Sequence, residues 1–160
     1  MTRGDPPLVF RSARSEDMPH ILSASAQTGW GQLSARERAG VTQEEFAARV
    51  SAMFQQVLSA PGGTLLVAEE DGRVIGYILY CLQPNALTGR LEGFFFDQFV
   101  EPDRRHRGLA QGLNARAMEH CARLGAAGVS LLIAPHNADS QKAARRSGFE
   151  VERLIFARPL

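Results

Sequence analysis

The stretch that decides the reading runs from Phe94 to Ala110: FFFDQFVEPDRRHRGLA. It opens as an apolar, aromatic-rich strand from Phe94 to Val100 and breaks at Pro102. It then passes through a basic segment, Arg104 to Arg107, and reaches Gly108, after which helical spacing begins. In physical terms this is an anion cradle. Gly108 and Ala110 are small enough for a phosphate to approach the backbone. The first helical turn leaves N–H groups without intrahelical partners, and the helix dipole favours negative charge there. Arg104, Arg105 and Arg107 add formal charge nearby. Two familiar phosphate loops are excluded. A P-loop needs Gly-Lys-Ser/Thr, and here Gly112 is followed by Leu113 and Asn114. A dinucleotide fingerprint needs Gly-x-Gly-x-x-Gly, and Leu113 stands where the third glycine belongs. On this segment alone, a plain strand, turn and helix with a solvated arginine cluster is the competing reading.

Working outward, the helix after Gly108 carries Leu109, Leu113, Ala117, Cys121 and Leu124 on one side, and Gly125 and Gly128 end it. A strand from Val129 to Ala134, a short helix over 138–147 closed by Gly148, and a last strand from Phe149 to Ala157 complete the C-terminal side. On the N-terminal side, Leu8 to Arg11 reads as a first strand. A helix starts at Ser15, with Glu16 and Asp17 in its first turn and Pro19 placed early, where its missing N–H does no harm. Residues 27–40 read as irregular. Thr42 and Glu45 form a capping box. Phe46, Val50, Met53, Phe54, Val57 and Leu58 then follow at helical spacing until Pro61-Gly62-Gly63. Thr64 to Ala68 and Val74 to Leu82 are strands joined by the hairpin signal Asp71-Gly72. This mixture predicts an α+β domain around one mixed sheet, with residues 1–160 as a single domain.

Composition sets few further limits. Hydrophobic residues make up 44% of the 160, charged residues 22%, and the net charge is +1. Such a balance points to neither nucleic acid nor an anionic membrane, so any anion must be held locally. Cys81 and Cys121 match no disulfide framework and no metal spacing, and both read as small buried hydrophobes. No metal is expected. With no secretory signal and no long apolar run, the expectation is a cytoplasmic protein.

Val100-Glu101-Pro102 followed by Arg105-x-x-Gly108-x-Ala110 resembles the acetyl-CoA-binding motif of the GNAT superfamily of N-acetyltransferases. Asn137, followed eleven residues later by Gly148-Phe149, resembles that family's second marker. The order of elements is similar along most of the chain. The resemblance implies a mixed, mainly antiparallel sheet flanked by helices, with a splayed cofactor cleft between the fourth and fifth strands. It implies that the backbone of Gln98, Phe99 and Val100 holds the pantetheine arm of acetyl-CoA. The N–H groups of His106, Arg107, Gly108, Leu109, Ala110 and Gln111 would hold the pyrophosphate, and Arg105 opens the motif as a further cofactor-binding residue. Asn137 would sit beside the pantetheine, and Lys142, Arg145 or Arg146 could reach the adenosine phosphate.

The activity so implied is transfer of acetyl from acetyl-CoA to a primary amine of a small molecule by direct attack. Two alternatives stand beside it: a peptide or protein N-acetyltransferase, and an acyl-CoA-binding module without turnover. Asp97, inside an otherwise apolar strand, is the first candidate to take the amine proton, with a purely structural role as its alternative. Glu69 and Glu70 are weaker candidates that read as solvated. Many members carry a tyrosine seven residues after the asparagine to protonate the leaving thiolate, but that position is Ala144 here. Ser140, Ser147 and His136 are the nearby substitutes. Trp30 is either a wall of the acceptor pocket or a hydrophobic plug. The expected partners are acetyl-CoA and the amine, and a homodimer stays open.

Overall fold

The computed structural model of the chain describes residues 7–160. Strand β1 (Val9–Ser12) leads through a short 3-10 turn into α1 (Met18–Gln32). A one-turn helix, α2 (Ala35–Arg38), and then α3 (Gln43–Ser59) follow. Strands β2 (Thr64–Glu70), β3 (Arg73–Pro84) and β4 (Leu91–Val100) come next, then α4 (Leu109–Arg123), β5 (Val129–Leu131) and α5 (Ala138–Arg146). The five strands lie in sequence order in one sheet. All neighbours are antiparallel except β4 and β5, which are parallel and therefore need α4 as a crossover.

Alternation along β3 builds two apolar layers, because side chains two apart share a face. Tyr77, Leu79 and Cys81 meet Ile21 of α1 and Val50, Phe54 and Val57 of α3. Ile78, Tyr80 and Leu82 meet Leu109, Leu113, Ala117 and Cys121 of α4. Burial on both faces explains why β3 reads as an unbroken apolar run rather than an alternating one. The two cysteines lie buried in opposite layers, and burial pushes both thiols up in pKa. The capping box expected for α3 is made: Thr42 Oγ1 accepts the Glu45 N–H at 3.1 Å, and the Thr42 N–H donates to Glu45 at 2.9 Å. Asp71 and Gly72 both take positive φ, 53° and 73°, as a tight hairpin between β2 and β3 requires.

Three sequence expectations need correction. The stretch over 27–40 is not irregular. α1 runs on through Gly29, Trp30 and Gly31, and α2 has its own capping box between Ser34 and Glu37. Of the glycines that suggested a break, Gly29 has a packing reason, whereas a Cβ on Gly31 would meet open space. A Cβ on Gly29 would lie 3.1 Å from the ring of Phe46, which in turn stacks edge-on with Trp30. The strand expected from Val129 to Ala134 is only three residues long. The last strand, expected from Phe149 to Ala157, is absent: this segment makes no ladder.

Candidate active site

β4 has two halves. Its pairing with β3 extends from Leu91 to Val100, but on its other side only Gly93, Phe94 and Phe95 have partners: Val129, Ser130 and Leu131 of β5. From Phe96 onward that edge is open among the described residues. The break coincides with a bulge. Leu79 lies opposite Asp97 while Tyr80 lies opposite Phe95, so Phe96 has no partner across the ladder. The extra residue reverses the alternation. Phe95 packs in the α4 layer, whereas Phe96 and Phe99 both pack in the layer of α1 and α3.

The open edge has a definite polarity. The Glu101 N–H donates to the Ile75 carbonyl at 2.9 Å, and Val100 lies opposite Gly76. Bonded and non-bonded pairs alternate along an antiparallel ladder. Phe99 therefore exchanges hydrogen bonds with Tyr77, whereas Gln98 and Val100 aim their N–H and C=O groups out of the sheet edge. Arg105 fits this assignment, since its Nε donates to the Val100 carbonyl at 3.1 Å. Of the three residues expected to offer backbone to a ligand, Gln98 and Val100 do so. Phe99 contributes its ring, stacked on Tyr77 with centroids 5.8 Å apart.

The N-terminus of α4 lies beside this edge. Gly108 is its N-cap at φ 77°, and no side chain caps the helix. The first intrahelical bond runs from the Gly112 N–H to the Gly108 carbonyl at 2.9 Å. The N–H groups of Leu109, Ala110 and Gln111 thus have no partner from the helix and none from a cap. His106 also takes a positive φ, 63°, which turns the loop sharply before the helix. The Gln98 amide donates to the Ala110 carbonyl at 3.2 Å and ties the two elements together. Arg105, His106 and Arg107 are exposed around the cradle. Arg104 is drawn away from it, with its Nε 2.6 Å from Glu70. Glu69 likewise meets Arg11 at 2.7 Å, so both glutamates form ion pairs instead of standing solvated.

Asp97 faces the opposite layer. Its Oδ2 accepts from Ser25 Oγ at 2.6 Å and from Tyr77 Oη at 2.8 Å. Ser25 and Tyr77 are both buried. Burial pushes the carboxyl above the ordinary carboxylate range, and the two hydroxyls only partly offset that shift. Burial, together with the Asp97 charge, also drives the Tyr77 phenol far upward, so it stays protonated and keeps the proton it donates to Asp97. No arginine or lysine meets Asp97 among the described residues.

After β5, Asn137 is the N-cap of α5 and its Oδ1 accepts the Ser140 N–H at 3.1 Å. His136 Nε2 lies 3.2 Å from the Gly31 carbonyl, so the loop before α5 meets the end of α1. Ser147 Oγ accepts from Asn114 at 3.0 Å. Ala144 is buried. Lys142, Arg145 and Arg146 are exposed. Trp30 packs against Phe46, and the Arg38 guanidinium lies 5.7 Å from its ring centre, so it ties α1, α2 and α3 together.

Sequence reasoning missed three residues. Ser25 and Tyr77 hold Asp97, but only the β3–β4 register and the position of α1 bring them to it. Asn114 is almost fully buried and links Gln98 at 3.0 Å to Ser147, joining β4, α4 and α5. Its signal was visible as a polar residue flanking the apolar stripe of α4.

The sequence pattern of the Acetyltransferase (GNAT) family matches residues 24–149. No curated protein matches the chain. Among solved structures, the chain is similar to a candidate acetyl transferase from Pyrococcus furiosus, with a TM-score of 0.81 and 19% identity over 96% of this chain and 100% of that one. It is similar to aminoglycoside N-acetyltransferase AAC(6')-Iy in complex with CoA, at 0.73 and 24% over 99% and 98%. It is also similar to glucosamine-6-phosphate N-acetyltransferase from Arabidopsis thaliana, at 0.65 and 18% over 96% and 98%. At these identities the structural likeness speaks for the fold.

Proposed function

Because the chain belongs to the GNAT acetyltransferase family, we propose that it moves an acetyl group from acetyl-CoA to the primary amine of a small molecule by direct attack. The observation that carries this reading is the open edge of β4 beside the uncapped N-terminus of α4. A strand edge with outward N–H and C=O groups suits the amide-rich pantetheine arm. Three unsatisfied N–H groups at a helix N-terminus suit a pyrophosphate. Gln98 and Val100 supply the first, and Leu109, Ala110 and Gln111 the second. Arg105, His106, Arg107 and Gly108 form the rim, and Asn137 stands on the opposite wall.

In the reaction the amine nitrogen attacks the thioester carbonyl, forming a C–N bond and placing negative charge on oxygen. The Val100 N–H points out of the ladder and is the donor available to that oxyanion. Collapse breaks the C–S bond and releases the thiolate. The amine arrives protonated, since an alkylamine has a pKa of about 10, and its protons must leave. Asp97 accepts a proton, directly or through water. Its raised pKa moves it toward the working pH, where a general base is most effective. Ser25 and Tyr77 fix its orientation. A thiolate with a pKa of about 8.5 can leave without a dedicated acid, which accommodates the methyl of Ala144.

Calorimetric titration with acetyl-CoA, with free CoA and a dinucleotide as controls, tests the cofactor half. Micromolar binding of the CoA species alone is expected. Binding of neither would remove the reading. A panel of small amines and N-terminal peptides, read by release of free thiol, tests the acceptor half. Ala144 favours one second reading, an acyl-CoA-binding module without turnover. Tight binding with no thiol release across the panel would support it.

A further inference from the structure

Asn114 stands on α4 where packing alone would take an apolar side chain. Leu109, Leu113, Ala117 and Cys121 form the buried stripe of that helix, and Asn114, next to Leu113, is only 1% exposed. Burying an amide costs free energy unless its donors and acceptors find partners. Here they do. Asn114 Oδ1 accepts from Gln98 Nε2 at 3.0 Å, and Asn114 Nδ2 donates to Ser147 Oγ at 3.0 Å. Gln98 Nε2 also donates to the Ala110 carbonyl at 3.2 Å. A leucine of similar size would fill the space with no such requirement, so burial does not explain the amide. What the amide joins does. β4 has no outer strand beside Gln98 among the described residues, because β5 pairs only with Gly93, Phe94 and Phe95. α5 follows β5, and Ser147 is its C-cap. Among the described residues, the side-chain hydrogen bonds that lead from the open half of β4 to α5 pass through Asn114. Both partners are anchored at their own ends. Gln98 lies opposite Ile78 in the ladder, and the Ser147 N–H donates to the carbonyls of Ala143 and Ala144 at 3.1 and 2.9 Å.

We infer that Asn114 is a positioning residue for acetyl-CoA: it fixes the spacing between the open edge of β4, the uncapped turn of α4 and the end of α5. It acts through Gln98 and Ser147, since its own side chain is buried away from any ligand. This inference rests on the acetyl-CoA reading of the cleft. A ligand held at one end by a strand edge and at the other by a helix N-terminus gains from the second contact only if the two lie at a matching offset. Gln98 carries both parts of that offset. Its backbone faces out of the sheet edge, and its side chain grips the first turn of α4 at Ala110 and Asn114. Loss of the Asn114 amide removes one of those two grips and frees Ser147 as well. The two binding elements would then drift relative to each other while each keeps its own shape. A ligand that uses both elements should suffer, and a ligand that uses one should not.

Calorimetric titration of the wild type and of Asn114→Leu tests this, with two probes. Acetyl-CoA spans both elements. 3′,5′-Adenosine diphosphate carries the nucleotide end and no pantetheine. For Asn114→Leu the acetyl-CoA affinity should fall about tenfold, the scale of one or two net hydrogen bonds. The affinity for the nucleotide should stay within about twofold. Far-UV circular dichroism and the denaturant midpoint establish that the variant is folded. A damaged fold would weaken both probes together, so the split between them separates positioning from a merely structural role. Ser147→Ala gives a second reading should the leucine variant fail to fold. Ser147 is half-buried at a helix end, and the alanine removes the far end of the same link. It should weaken acetyl-CoA by about threefold and leave the nucleotide unchanged. Unchanged acetyl-CoA affinity in the folded variants, or parallel loss for both probes, would overturn the inference while leaving the acetyltransferase reading in place. A wild type that binds no CoA species would overturn that reading and this inference with it.

Discussion

The two halves of β4 differ in what their residues are for. From Gly93 to Phe95 the strand is held on both sides, by β3 and by β5. There the side chains are packed to the limit: a Cβ on Gly93 would sit 2.6 Å from the sulfur of Cys121 and 2.9 Å from Val129. From Phe96 to Val100 the strand has one neighbour, a bulge, a raised carboxyl and backbone groups aimed at solvent. The same ten-residue strand is thus structural at one end and chemical at the other. A single inserted residue, Phe96, marks the change.

This contrast can be broken most forcefully at Asp97. Asp97→Asn keeps an oxygen to accept from Ser25 and Tyr77, so fold and acetyl-CoA affinity should persist. Turnover should fall about 10²–10⁴-fold, the usual worth of a general base. Steady-state kinetics beside calorimetry reads both, and unchanged turnover across pH would return Asp97 to a structural role. The opposite pattern is expected at Gly93→Ala. Overpacking against buried Cys121 and Val129 should cost about 1–3 kcal/mol in denaturant unfolding. Activity per folded molecule should change little.

Smaller effects sharpen the comparison. Gly108→Val places a β-branched residue at φ 77°, with its Cβ facing open space except for Gln111 Oε1 at 4.0 Å. The left-handed backbone there strains any L side chain, at a cost of about 1–2 kcal/mol, and acetyl-CoA affinity of the folded variant should fall on the order of tenfold as the anion loses its approach. Equal affinity in the folded variant would move the cradle elsewhere. The smallest effect is on stability against pH. The folded Asp97 pKa is raised, so the native state holds this proton more tightly than the unfolded chain. Its contribution is full below the unfolded pKa of about 3.9 and is lost as pH rises through the folded value. Relative to Asp97→Asn, the wild type should therefore lose stability over that window, by at most about 1.4 kcal/mol per pH unit. A flat difference would mean that Asp97 does not titrate in the folded state.

What the sequence determined by itself was whatever is local or periodic. Helical spacing located α3 and α4, the Thr42–Glu45 box marked the start of α3, the Asp71-Gly72 turn marked the hairpin between β2 and β3, and the run Val100 to Ala110 marked the uncapped helix beside a strand end. Asp97 stood out as a charge in an apolar strand. Tertiary structure alone decided the rest, because each remaining feature depends on what lies across a gap. Gly29 resembled part of a break until Phe46 was seen to need the space. The bulge at Phe96 depends on register with β3, and so do the outward groups of Gln98 and Val100 and the hydroxyls that hold Asp97. The final segment has strand propensity, but a strand needs an edge, and whether one is within reach is a property of the folded sheet.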